Sequence, residues 1–539
     1  MKKAVWCSLP WILALVLMAC ASPEEKRASF YAQAQELYEQ GKFDEAKGEL
    51  KNALKVDPEF APGYLLMARC LLKEDNIRKA YSHLNKSVEL DPTLIEAQNL
   101  LGRIFIQAGR HEQAQEKVEL VLKEDPDNLD ARLIQASLML QDEALSQAEE
   151  ILNSVIAQDQ KHEEAHMLLF RAAQMQNRNE AALQALKNGL ARLPDSRSLR
   201  LALIQTYANL EDLPRAEAHF DELLSRNPDS VSLRLLQIRF YQQTRQQKKA
   251  EQGLKSLIES YPEEARYRLS LAQLLADRNH LEEAESVLKR GIQDLSEIKE
   301  FRLALGDLYR AKDETAMAEK AYLVAAGDEQ EAAPEALSAR RRLARMYFDQ
   351  GHLAKARDQL KRVFALNQKD LEAHFLQGQI YLRQGNATQA IIELRQVVRD
   401  RPELLAAQRM LAQAHFMNNE PQIAVQTLKK VLELEPGFHE ARDLLVQHLI
   451  RQKELERAAE HLEIISQGQP ENVKVHVTLG EVYARIEKFA RARAVFEQLG
   501  KIEGGEVLSG VKLGQLDLVQ KRFDTAILHF KEALEAEPK

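Results

Sequence analysis

Small and large apolar side chains return along this chain with a fixed beat. A small residue (Ala34, Ala68, Gly102, Ala136, Ala272, Gly306, Ala344, Gly378, Ala412, Gly480, Gly514) is often followed three places later by a larger one, as at Leu37, Leu71, Phe105, Tyr309, Tyr347 and Tyr381. Twelve residues after the small residue stands an alanine, with apolar residues four and seven places beyond it, such as Leu50 and Ala53, or Val118 and Val121. Spacings of three, four and seven lie on one face of an α-helix, so each unit predicts two amphipathic helices. Glycine-bearing turns such as Gln40-Gly41-Lys42, Ala108-Gly109-Arg110 and Gln384-Gly385-Asn386 separate them, placing glycine where a helix ends and the chain reverses.

The marker alanine recurs every 34 residues from Ala46 through Ala80, Ala114, Ala148, Ala182, Ala216, Ala250 and Ala284 to Ala318. After a slip of four residues it resumes at Ala356, Ala390, Ala424, Ala458, Ala492 and Ala526. Proline stands twelve residues after many of these alanines, as at Pro58, Pro92, Pro126, Pro194, Pro402 and Pro436. Proline disfavours a helical residue before it, so each Asp-Pro or Glu-Pro pair ends one unit. A uniform period over 539 residues predicts one repeat array in place of several globular domains.

Two antiparallel helices approach closely only where neither carries bulk at the crossing, which is the work of the small residues. With its 34-residue period and these positions, the chain resembles the tetratricopeptide family from Arg27 to Lys539. The resemblance implies an all-α fold, a right-handed α-solenoid of about 15 helix-turn-helix repeats whose first helices line a concave groove. Phe170, Ile204, Ile238 and Val446 depart from the small position. The expected layout is a signal peptide over 1–19, a lipidated tether over 20–26, repeats 1–9 over 27–326, an acidic insertion over 327–336 and repeats 10–15 over 337–539. The insertion reads either as a hinge or as a surface loop.

Lys2 and Lys3 precede an apolar stretch, Trp11 to Leu17, that is short for a membrane span, which marks a signal peptide. Its end, Leu17-Met18-Ala19-Cys20, resembles the bacterial lipobox, which implies diacylation of Cys20; the alternative is a plain secretory signal with a chance cysteine. Ala21 and Ser22 offer no inner-membrane retention aspartate, so the expectation is an outer-membrane lipoprotein facing the periplasm. Cys7 leaves with the leader, and Cys70 then reads as a small buried apolar residue. Loss of Lys2 and Lys3 takes the formal net charge from −8 to about −10. That balance argues against nucleic acid as a partner and against membrane contact beyond the lipid.

Candidate chemistry is sparse. His162-Glu163-Glu164-Ala165-His166 matches the two-histidine zinc pattern, but the repeat frame already accounts for Glu164 and Ala165. His162 falls in a turn, and a zincin needs both histidines inside one helix plus a third ligand. Gly504-Gly505 precedes no Gly-Lys-Ser/Thr sequence and forms no phosphate loop. The expectation is a protein with no catalytic residues, cofactor or metal. The groove position, eleven residues before each marker alanine, is rich in arginine and glutamine: Arg69, Arg103, Arg171, Gln205, Arg239, Gln273, Arg345, Gln379, Gln413 and Gln447 are the candidate binding residues. Arginine forks suit carboxylates, and glutamine amides suit peptide backbones or sugar hydroxyls. The competing reading has these side chains paired with neighbouring acids. No asparagine stands at this position, so the family's carboxylate clamp is not supported.

At the far end, Leu516, Phe523, Ile527, Phe530 and Leu534 are expected to leave part of an apolar face open for a partner or a second copy. The chain is similar to envelope lipoproteins that accompany pilus assembly, exopolysaccharide export or exosortase-type sorting. The resemblance implies a non-enzymatic scaffold for envelope proteins. The alternative is a groove that binds an anionic polysaccharide or peptide directly.

Overall fold

The computed structural model describes residues 22–328, 330 and 332–536. The described residues form 30 α-helices and no strands. They pair as the frame requires, from Pro23–Glu39 with Phe43–Val56 in repeat 1 to Glu506–Val519 with Phe523–Glu535 in repeat 15. Cys20 lies outside the described residues. The first helix starts at Pro23, capped by the Ser22 side chain on Glu25 N–H, so most of the expected tether is already helical.

Two compact units divide the chain at Ala250/Glu251. In the first, one cluster runs through repeats 1–4, built on Ala34, Leu50, Leu66, Leu84, Leu101 and Val118. In the second, clusters centred on Leu411, Leu428, Leu445 and Phe496 follow one another along the repeats. The marker alanines from Ala46 to Ala526 are all 0 % exposed, which is why no larger residue occupies them: the helices cross there.

The small position answers the residue four places after the marker alanine. A Cβ built on Gly306 would lie 2.6 Å from Tyr322 Cδ1, and one on Gly480 2.6 Å from Phe496 Cζ. One on Gly378 would lie 2.8 Å from Leu394 Cγ. Where the small residue is alanine, as at Ala344 and Ala412, the partner is Leu360 or Leu428, and all four are fully buried. In these five repeats the small residue on the first helix leaves the room that its partner on the second fills.

The turn between the two helices has one conformation throughout. Five residues before every marker alanine the backbone is left-handed, from Gly41 at φ 75° and Asp75 at 59° to Glu487 at 59° and Lys521 at 60°. Glycine fills this position at only Gly41, Gly109, Gly351 and Gly385.

Between repeats 9 and 10, the second helix ends at Ala326 and the next begins at Pro334, inside the expected insertion. Arg340 is 2 % exposed and donates to the carbonyls of Ala326 and Asp328, tying the start of the connection to the helix beyond it. At the far end Phe523, Ile527 and Leu534 are exposed as expected, but Leu516 is only 2 % exposed. It packs into the cluster containing Phe496 and Leu513, on the side of its helix that faces the preceding repeat.

Candidate groove-face site

The first helix of each repeat carries the candidate row, and the fate of each side chain depends on its neighbour one repeat along. Arg69 Nε lies 3.3 Å from Glu96, with its guanidinium 4.7 Å from the Tyr38 ring centroid. Arg103 reaches Asp130 at 2.8 Å and Glu164 at 2.7 Å, joining repeats 3, 4 and 5. Burial works against the Arg103 charge, but these two carboxylates outweigh it and hold the group above its ordinary pKa. Both arginines are therefore satisfied within the protein. Arg171 and Arg239 are exposed and have no carboxylate partner among the described residues. Gln205 between them donates to Asn209 at 2.8 Å.

In the second unit, Gln273 donates to Asp277 at 2.7 Å. Gln413 and Gln447 line a cleft of about 470 Å³ with Arg409, Asp443 and Thr478, and Gln447 is held by Asp443 at 2.8 Å. Arg345 donates to Gln379 at 2.6 Å, so two predicted residues of adjacent repeats meet. Glu372, which corresponds in the frame to the acid beside Arg69 or Arg103, instead takes Arg341 at 2.8 Å.

Around Arg345 stand residues the candidate row did not include. Phe348 has Arg345 5.6 Å and Arg383 5.4 Å from its ring centroid. Arg383 donates to the Phe348 carbonyl at 2.9 Å, and Arg310 pairs with Asp349 at 3.3 Å. These residues sit seven or eight places before the marker alanine, one helical turn beyond the row, and extending the frame by that turn would have found them.

The zinc-like motif resolves into structure. His162 is the N-cap of the helix Glu163–Met175. His166 is 2 % exposed, its Nε2 lies 3.0 Å from the Gln160 carbonyl, and its ring packs where Gly189 leaves room. Among the described residues no three His, Cys, Asp or Glu side chains are grouped to hold a metal. Cys70 is buried, and burial pushes its thiol up to about 11, where it is a poor nucleophile. No described helix is long and apolar enough to cross a membrane.

Helix pairs repeated along the chain, with a polar row on successive first helices, define a helical repeat scaffold. The chain belongs to the tetratricopeptide repeat family: that family's models match residues 37–104, 105–171, 173–237 and 210–274, and again 341–404, 375–438 and 409–471. Together they take in more than half of the chain. Tetratricopeptide proteins mediate protein–protein interactions, and the fold is generally a non-catalytic scaffold. No curated protein is detectably similar in sequence. Among solved structures, the Naa15/Naa10 complex bound to HypK is 15% identical over 96% of this chain and 90% of that chain, with a TM-score of 0.39. PilF of Pseudomonas aeruginosa is 18% identical, covering 40% of this chain and 98% of its own, with a TM-score of 0.33. The type IV pilus biogenesis factor PilW is 18% identical over 39% and 97%, with a TM-score of 0.35. At such scores these likenesses carry no argument about function.

Proposed function

We propose that this protein is a non-enzymatic adaptor of the bacterial cell envelope, anchored to the outer membrane through a lipid on Cys20 and holding partner proteins on its groove face in the periplasm. The observation that carries the reading is the row of arginine and glutamine side chains on successive first helices within each unit, some of which, as at Arg171 and Arg239, are exposed with no carboxylate partner among the described residues. The leader ending Leu17-Met18-Ala19-Cys20 supports the location, since only Ala21 and Ser22 separate Cys20 from the first helix. Acyl chains there would keep repeat 1 at the bilayer surface.

Two measurements test the reading. Cys20→Ser should move the protein from the membrane to the soluble periplasmic fraction. A photo-crosslinking amino acid at Gln205 or Gln413 should give discrete adducts with envelope proteins in cells, while one at Arg395, exposed on a second helix, should not. Absence of adducts at both groove positions would overturn the adaptor role, and unchanged fractionation of Cys20→Ser would overturn the anchor.

A further inference from the structure

Two arginines from successive repeats flank one aromatic ring, and a third from the repeat before pairs with the residue next to that ring. Arg310 lies on the helix Glu300–Ala311, Arg345 on Pro334–Asp349 and Arg383 on Leu371–Arg383. Phe348 lies between Arg345 and Arg383, with guanidinium carbons 5.6 and 5.4 Å from its centroid. Stacking on a ring attracts a guanidinium but does not neutralise it, and it leaves edge donors for a planar anion.

The neighbouring acids do not balance the cluster. Asp349 pairs with Arg310 and is 47 % exposed. Asp307 is committed to Arg342, which reaches its two oxygens at 3.0 and 3.1 Å, and also accepts from Tyr322. Asp370 and Glu372 are taken by Arg341 at 2.6 and 2.8 Å. Arg345 has an amide, Gln379, as its partner, and Arg383 a backbone carbonyl. Three cations therefore face one carboxylate in a protein of formal net charge −8. Arg345 is disfavoured by burial and by Arg310 beside it, with Asp349 opposing. Like charge is therefore in excess here, a potential that favours an anion.

We propose that Arg310, Arg345 and Arg383, with Phe348 between the last two, form a docking site for an acidic peptide segment of a partner protein, two or more of whose carboxylates bridge the guanidiniums. The inference rests on the adaptor reading and deepens it. A peptide fits better than a long polyanion because the positive patch is short. Asp277 lies before it and Asp443 beyond it on the first helices, where a chain with charge on every unit would be repelled. Gln413 offers an amide for a peptide backbone. Bidentate guanidinium–carboxylate contacts supply the orientation.

The test is fluorescence anisotropy of a labelled octaglutamate peptide against the full chain at low salt. Binding should be saturable, should weaken about fivefold or more in Arg345→Gln and in Arg383→Gln, and should weaken further in the pair. It should be unchanged in Arg399→Gln, which alters an exposed arginine on a second helix. Asp349→Asn removes the internal competitor and should tighten binding about threefold, a gain that a misfolded variant cannot give. No saturable binding, equal affinity in the arginine variants, or weaker binding by Asp349→Asn would overturn the proposal. Displacement of the peptide by a heparin oligosaccharide at lower concentration than by unlabelled octaglutamate would also overturn it in favour of a polyanion. If octaglutamate fails while groove crosslinks at Gln205 and Gln413 persist, only this inference falls; if the crosslinks vanish too, the adaptor reading falls with it.

Discussion

Gly306→Ala adds a single methyl group at the tightest crossing of repeat 9. Its Cβ would stand 2.6 Å from Tyr322 Cδ1 and 2.9 Å from Cζ, where van der Waals contact needs well over 3 Å. Tyr322 has nowhere to retreat: it is 0 % exposed, and its hydroxyl donates to Asp307 at 2.6 Å. Overpacking of this kind costs about 1–3 kcal/mol. Replacing glycine with alanine inside a helix returns about 1 kcal/mol through backbone entropy. The net expectation lies between no change and a loss of about 2 kcal/mol, read as a lower urea midpoint by circular dichroism. In a Tyr322→Leu background the same substitution should change sign, because alanine opposite leucine is the pairing that Ala344 and Leu360, or Ala412 and Leu428, already use in full burial. There the methyl fills space that the smaller side chain vacates, and the helix-propensity gain remains. The coupling across the cycle should reach about 1–3 kcal/mol. If Gly306→Ala has the same effect in both backgrounds, size matching between the two helices is not what sets this position.

Two further perturbations follow from the turns and the histidines. Gly41 has φ 75° and nothing within 4 Å of an added Cβ, so Gly41→Ala isolates backbone strain and should cost about 1 kcal/mol. Lys453→Gly, at φ 62°, should be neutral or gain up to about 0.5 kcal/mol, because relief of strain exceeds the added chain entropy; a clear loss of urea midpoint would contradict this. His374 has its pKa raised by its hydrogen bond to Glu393 at 2.5 Å, against burial. A raised folded value means that its stabilisation is present in full below the unfolded pKa near 6.5 and is lost as pH rises through the folded one. The gap between wild type and His374→Gln should therefore shrink from pH 6 to pH 8. His461 is lowered by burial and by Arg442, so the stability linked to it is lost as pH falls, and His461→Gln should show the opposite trend. Parallel trends in the two variants would refute the assignment.

The helices and their crossings were legible because the residue that makes a crossing possible leaves a mark. An alanine at 0 % exposure tolerates no replacement by bulk, so its period survives in the sequence. The left-handed turn left a mark only where it is glycine. Asp, Asn, Glu, Lys and Arg carry the same φ in the other repeats, at a strain small enough for a long array to absorb at each site. The repeat frame put the polar row on the first helices, but which arginines stay available was not legible, since that depends on acids in neighbouring repeats.

That dependence has a rule of its own. Lys47 meets Glu74, Arg103 meets Asp130, Arg278 meets Glu251 and Lys312 meets Glu285, each pair 27 residues apart. Arg69 and Glu96 show the same spacing. Twenty-seven is one 34-residue period less seven, and seven residues are about two helical turns. Charges at that separation therefore fall side by side on adjacent repeats. By this rule Arg171 is left facing Ser198, consistent with its exposed state. Arg345 should have Glu372, but Arg341, four residues earlier on the same helix, is 2.8 Å from that carboxylate. Two arginines one turn apart compete for one acid, and the loser turns to Gln379, Phe348 and Arg310's side of the groove. The surplus charge at repeats 9–11 thus follows from the run Arg340-Arg341-Arg342 placed just before Arg345: Arg340 goes to the connection, Arg341 takes the acid 27 away from Arg345, and Arg342 takes Asp307.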